Sequence, residues 1–118
     1  MRIVASKFPA EVLGSRLEFE TLISDTSAAL GREATGNHCI FAFDVADGRT
    51  LANGRVFAHV SPGVPDGFRV DHQGFVYTSS EDSVQVYHPD GTLLGRIHVP
   101  EKVGNVTFGG AQRDVLYV

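Results

Sequence analysis

The sequence predicts an all-β chain built from repeated four-stranded antiparallel units. Its apolar runs are short and are broken by Gly, Asp, Asn and Pro. Several runs alternate apolar and polar residues, Val84-Gln85-Val86-Tyr87-His88 most clearly, which is the period-2 pattern of a half-buried strand. No segment sustains i, i+3, i+4 periodicity beyond about two helical turns. A repeat is also visible. Phe43-Asp44-Val45-Ala46-Asp47-Gly48 aligns with Val86-Tyr87-His88-Pro89-Asp90-Gly91 at an offset of 43 residues, and Phe75-Val76-Tyr77 aligns with Val115-Leu116-Tyr117 at an offset of 40.

Taken in order, the expected strands are Thr21–Ser24, Cys39–Val45, Arg55–Val60, Phe68–Asp71, Phe75–Ser79, Val84–Tyr87, Leu93–Val99, Asn105–Phe108 and Val115–Val118. Ser15–Glu20 has a helical look, but Glu18, Phe19 and Glu20 fit period 2 equally well. Asp47-Gly48 and Asp90-Gly91 read as hairpin turns, because glycine tolerates positive φ and Asp can bond the turning backbone. Asp71-His72-Gln73-Gly74 reads as a further hairpin turn. A spacing of about 40–50 residues with four strands per unit is that of β-propeller blades. On this reading the 118 residues form one incomplete propeller segment of about two and a half blades: 10–60 a first blade, 67–100 a second, and 101–118 the start of a third. Such a segment leaves strand edges open to pairing, so it needs further blades or copies of itself.

Composition removes several function classes. The chain is 42% hydrophobic and 20% charged, as globular domains are, with net charge −4 and no run of Lys or Arg. Nucleic-acid and anionic-membrane partners both call for a basic patch, so neither is expected. Cys39 is the one cysteine, which excludes an intrachain disulfide and a CxxC metal site, and it reads as a small hydrophobe inside a buried strand. No apolar run approaches the ~18 residues of a membrane span, and Met1–Ala10 lacks the apolar core of a secretory signal. A cytoplasmic location is the expectation. His38, His59, His72, His88 and His98 lie at least 10 residues apart and match no zinc-binding spacing, so they read as surface or turn residues. Ser79 and Ser80 lack a Gly-x-Ser-x-Gly elbow, and Gly104–Gly110 precedes no helix and is no phosphate loop.

Of the two Pro-Asp-Gly triplets, Pro89-Asp90-Gly91 lies between two strands of one blade and is a turn. Pro65-Asp66-Gly67 instead links the outer strand of one blade to the inner strand of the next, where a propeller chain returns to its axis. A carboxylate there can bind a hard divalent cation or deprotonate a water held by one. Turn chemistry alone also accounts for the triplet.

The segments Val64-Pro65-Asp66-Gly67-Phe68-Arg69-Val70-Asp71, Gly74-Phe75-Val76-Tyr77-Thr78-Ser79 and Asn105-Val106-Thr107-Phe108-Gly109-Gly110 resemble the gluconolactonase / senescence marker protein (regucalcin-like) family, from about Leu22 to Val118. The resemblance implies part of a six-bladed β-propeller of four-stranded antiparallel sheets. It implies a metal-assisted hydrolase that opens a sugar lactone to the aldonic acid, with one divalent ion (Ca, Mg, Mn or Zn) bound by Asp66, which also serves catalysis. The family glutamate near the start of the full chain has no counterpart here. The family asparagine of Pro-Asn-Gly-Leu aligns with Pro9-Ala10-Glu11-Val12, where Ala10 offers no ligand and Glu11 stands adjacent. One of three expected ligands is therefore present, and the chain alone is expected to be weakly active or inactive. Asn105 and Asp25 are further candidates for contacting substrate or supporting the site; a turn residue tolerant of positive φ is the other reading of Asn105, and an Asx cap that of Asp25. Two rival readings stay open: a non-enzymatic β-repeat module or inactive truncated paralogue that self-assembles through open blade edges, and a different propeller family built of similar blades.

Overall fold

The computed structural model describes residues 20–24, 38–46 and 49–118, which form strands and connecting turns without any helix. The strands are β1 (Glu20–Ser24), β2 (Cys39–Ala46), β3 (Thr50–His59), β4 (Phe68–Val70), β5 (Val76–Ser79), β6 (Ser83–Tyr87), β7 (Leu93–His98), β8 (Thr107–Gly109) and β9 (Val115–Tyr117). They make three sheets, ordered β1-β2-β3, β4-β5-β6-β7 and β8-β9, with every neighbouring pair antiparallel. The all-β expectation holds.

Strand β3 departs from expectation, for it starts at Thr50 rather than Arg55. Asn53-Gly54 resembles a turn in sequence, yet here it sits inside a strand that slips register between Ala42 and Asp44. Asn53 takes φ 50° at this irregularity. The bulge aims Asn53 Nδ2 and Arg55 NH1 at the Asp44 carboxylate, at 2.8 and 2.9 Å. Strand β8 is also shifted, starting at Thr107 rather than Asn105. The Asn105 side chain accepts a bond from Val106 N at 2.8 Å, an Asx-type contact that competes with a strand ladder.

The turns of the second sheet follow their chemistry. Asp71 Oδ1 accepts from Gln73 N (2.9 Å) and Phe75 N (3.0 Å), while Gly74 takes φ 89°. At the β6–β7 turn Asp90 Oδ1 accepts from Thr92 N at 2.8 Å, and Gly91 takes φ 90°, where a Cβ would run into the Phe57 carbonyl. The Asp47-Gly48 turn lies outside the described residues.

Alternation on β5 and β6 gives the second sheet two working faces. Val76 and Tyr87, with Phe68 and Val70 of β4, pack on Ile40, Ala42, Ala58 and Val60 from the first sheet and its exit. Val84 packs with Val103 and Val106, covered by Tyr77, Val99 and Leu116, on the side of the third sheet. Tyr77 and Phe108 meet edge to face there, with ring centroids 5.1 Å apart. Cys39 is buried in β2 as expected, and its Sγ lies 3.1 Å from His59 Nδ1 across the strand pair.

Phe68 is fully buried between the first two sheets. Phe68→Ala is expected to lower unfolding free energy by about 3–5 kcal/mol, read from urea denaturation. A loss under about 1 kcal/mol would place Phe68 outside the core. The Asp44 carboxyl is held below the ordinary aspartate value of 3.8, first by the Asn53 hydrogen bond and then by that of Arg55. A depressed carboxylate pKa adds stability above the unfolded-state value and loses it as pH falls through the folded-state value. The urea midpoint of the parent chain should therefore exceed that of Asp44→Asn at neutral pH, and the gap should close below about pH 4. A gap of constant size would rule out the carboxylate as its source.

Candidate functional site

The residues between β3 and β4 cross from the first sheet to the second, and the second sheet with its β5–β6 turn bonds the peptides of His59, Ser61, Pro62 and Gly67. Tyr87 Oη, whose one proton is shared with the nearer Gln85 Oε1, lies 3.0 Å from the His59 carbonyl. Gln85 Nε2 and Arg96 NH2 each donate to the Ser61 carbonyl at 2.9 Å. Glu81 N donates to the Pro62 carbonyl at 3.1 Å. Asp66 N donates to the Val64 carbonyl at 3.0 Å, an i to i+2 contact that turns the chain sharply at Pro65. Gly67 is then gripped by Ser79, whose Oγ accepts from Gly67 N at 3.0 Å and whose N donates to Gly67 O at 2.9 Å.

Asp66 is half-buried at this corner, between the buried Pro65 and the buried Gly67. A Cβ at Gly67 would run into Asn105 Oδ1 and would lie 3.0 Å from the Gly104 carbonyl. Glycine is needed here for close approach, and that approach brings Asn105 to the residue after Asp66. The sequence candidates Asp66 and Asn105 thus come to one corner, from the two ends of the second sheet. Asn105 is not among the positive-φ residues, so the turn reading based on φ does not apply to it. Asp25 lies outside the described residues, as do Pro9, Ala10 and Glu11.

Ser79, Ser80, Ser83 and Gln85 are the residues that sequence reasoning missed. All are at most 1% exposed. Ser80 Oγ donates to the Ser83 carbonyl at 2.8 Å, and Ser83 Oγ donates to Asp82 Oδ1 at 2.7 Å. The Ser83 bond is also the first cause of the lowered Asp82 pKa. Tyr87 Oη donates to Gln85 Oε1 at 2.6 Å, so both ends of the buried Gln85 amide are satisfied. Burial of Tyr87 pushes its phenol pKa up, which keeps it a donor. The signal that could have found this set is a run of small polar residues, Thr78-Ser79-Ser80, at strand positions an apolar core would otherwise fill.

The Asp66 carboxylate and the Asn105 carboxamide are hard oxygen donors, the chemistry that suits Ca²⁺, Mg²⁺ or Mn²⁺. Among the described residues no three His, Cys, Asp or Glu side chains gather in a metal-ligand set. The corner therefore offers donor types that suit a hard cation without a complete ligand set among the described residues. A cavity of about 420 Å³ opens beyond Asn105, lined by Val99, Pro100, Lys102, Val103 and Val118 among others, and Asp66 does not line it. The histidines described are exposed apart from the partly buried His38, and none of them approaches the corner through a hydrogen bond.

Antiparallel sheets packed face to face in chain order, with crossovers from the last strand of one to the first of the next, define part of a six-bladed β-propeller. The chain belongs to the SMP-30/gluconolactonase/LRE-like family, whose model matches residues 32–118. It is 43% identical over 82 residues to a pentonolactonase of Haloferax volcanii, which covers 66% of this chain and 28% of that protein. It is 33% identical over 91 residues to a lactonohydrolase of Aspergillus oryzae, covering 76% of this chain and 19% of the relative. Among solved structures, a gluconolactonase from Xanthomonas campestris superposes with a TM-score of 0.68 at 38% identity, over 85% of this chain and 31% of that one. The calcium-binding protein regucalcin from Agrobacterium tumefaciens superposes with a TM-score of 0.67 at 19% identity, over 86% of this chain and 34% of its own, and so shares the fold. The chain thus spans between about a fifth and a third of the length of these relatives. Among the described residues no helix is long and apolar enough to cross a membrane.

Gly67→Ala should force the Asn105 carboxamide or the Gly104 peptide away from the corner. Overpacking of this kind costs about 1–3 kcal/mol, to be read from urea denaturation. Amide shifts concentrated at residues 66–67 and 104–106 are expected in the backbone spectrum, and their absence would contradict the close approach.

Proposed function

We propose that this chain carries the Asp66 corner of a lactonase site that opens a sugar lactone to the aldonic acid. The observation that carries the reading is the placement of Asp66. It sits on a crossover whose flanking peptides are fixed by buried hydrogen bonds, in a chain 43% identical to a pentonolactonase over 82 residues. The likeness to the Xanthomonas gluconolactonase supports the same substrate class.

In this reading Asp66 would hold a divalent cation together with donors from outside the described residues. Bound there, such a cation supplies polarisation of the lactone carbonyl and acidification of a water. The Asp66 carboxylate takes the proton of the attacking water, whose oxygen bonds to the carbonyl carbon. The bond between the carbonyl carbon and the ring oxygen then breaks, and the ring oxygen leaves as a hydroxyl, accepting from Asp66 the proton taken from the water. Asn105, on the far side of Gly67, is placed to orient a sugar hydroxyl at the same corner. A lone carboxylate binds divalent ions weakly, so full activity requires ligands beyond Asp66.

A second reading rests on β9. Among the described residues its outer edge pairs with no strand, and Val115, Tyr117 and Val118 are 45%, 54% and 60% exposed. Association through that edge would be a strand-addition contact. It would be independent of metal and unchanged by Asp66→Ala.

Hydrolysis of glucono-lactone by the purified chain, with and without divalent metal and beside Asp66→Ala, tests the first reading. Metal-dependent turnover lost in Asp66→Ala is the expected result. Rates equal to the buffer rate for both proteins, with metal-independent association seen by sedimentation, would favour the second.

A further inference from the structure

We propose that Ser79 is a positioning residue for Asp66, fixing the direction of its carboxylate through the Gly67 peptide. The inference rests on the reading of Asp66 as a cation-binding carboxylate.

Ser79 is completely buried at the end of β5 and makes two bonds to one residue of the crossover. Its N–H donates to Gly67 O at 2.9 Å, a contact any residue at position 79 can make. Its Oγ accepts from Gly67 N at 3.0 Å, and this one depends on the side chain. The Gly67 N–H belongs to the peptide unit whose carbonyl carbon is that of Asp66. Holding that N–H fixes the plane of the unit and with it the ψ angle of Asp66. Asp66 N is fixed from the other side by the Val64 carbonyl at 3.0 Å. Both backbone torsions of Asp66 are then set, and with them the direction of its Cα–Cβ bond.

The same end of β5 also registers the other half of the corner. The Ser80 carbonyl accepts from Val103 N at 3.3 Å, and Val103 leads through Gly104 to Asn105. One strand end thereby sets the relative position of Asp66 and Asn105. Nothing else in the described structure requires an oxygen at position 79, since the ladder of β5 with β4 and β6 is made by backbone groups. A serine in this buried strand position costs apolar packing, and its distinct contribution is the bond to Gly67 N.

The test compares Ser79→Thr with Ser79→Val, which share volume and shape and differ in the Oγ acceptor. Mn²⁺ alone is titrated into the full chain, and binding is followed by paramagnetic broadening of the amide signals of residues 66, 67 and 105. The remaining amide signals report whether each variant is folded. The expected result is Mn²⁺ binding at this corner in the parent chain and in Ser79→Thr, lost in Asp66→Ala. Binding should be about fivefold or more weaker in Ser79→Val, the worth of one directional hydrogen bond. Equal affinity in folded Ser79→Thr and Ser79→Val overturns the positioning role and leaves Asp66 as the cation ligand. Broadening that misses the corner in the parent chain, or survives Asp66→Ala, overturns the reading of Asp66 and the inference with it. Should Ser79→Val not fold, Ser79→Ala is judged by the same criterion.

Discussion

The hydrogen bonds between the second sheet and the crossover at residues 59–67 are the constraint on which the rest of the arrangement depends. The crossover alternates exposed residues (His59, Ser61, Pro62) with buried ones (Val60, Val64, Pro65, Gly67), and a buried peptide group left unpaired costs about 1–3 kcal/mol. The chain meets this demand with side chains rather than with a strand. Tyr87 serves His59, Gln85 and Arg96 serve Ser61, the Glu81 peptide serves Pro62, and Ser79 serves Gly67. The donors lie along or near β5, β6 and β7, so the crossover can take this path only when the second sheet is formed.

That dependence explains why the buried face of the second sheet is divided between two kinds of chemistry. Phe68, Val70, Val76 and Tyr87 provide apolar contact with the first sheet. Thr78, Ser83 and Gln85 share that face, Thr78 and Gln85 in register with Phe68, and Ser79 lies on the other face; all are polar and yet wholly buried. Gln85 is the clearest case, since its amide is saturated by Tyr87 on one side and Ser61 on the other. A satisfied polar network rigidifies its surroundings, whereas a partly satisfied one destabilises them. The apolar residues hold the sheets together, and the polar ones fix the path of one loop. Only the second of these bears on Asp66.

The sequence was informative where local chemistry decides the outcome. Asp71 with Gly74, and Asp90 with Gly91, close their turns through their own side chains and a positive φ, so both hairpins were legible from residue types alone. The repeat placed equivalent strands correctly, with Val76–Ser79 and Val115–Tyr117 each second in their sheets. Legibility failed where a tertiary contact overrides local preference. Asn53-Gly54 resembles a turn, but Asp44 across the strand pair stabilises it as a bulge inside β3. The Pro65-Asp66-Gly67 crossover could be singled out, whereas its anchors could not. Ser79 and Gln85 look like ordinary polar residues of an exposed strand face until the partner segment is in place. The meeting of Asn105 with Gly67 joins residues 38 positions apart and leaves no local pattern.

A carboxylate on such a corner differs physically from one on a mobile turn. Asp90, in the otherwise similar Pro89-Asp90-Gly91 triplet, accepts from Thr92 N through Oδ1, and its pKa is lowered chiefly by the Thr92 hydrogen bonds. At Asp66 the turn is closed by backbone groups, Asp66 N to Val64 O, and by Ser79 acting on Gly67. A ligand that meets the Asp66 carboxylate there has no backbone ordering to impose, because folding has already set both torsions, and prior ordering is what strengthens a weak single-site interaction. The two triplets share a sequence, and the difference in what each carboxylate can do comes from which groups close the turn.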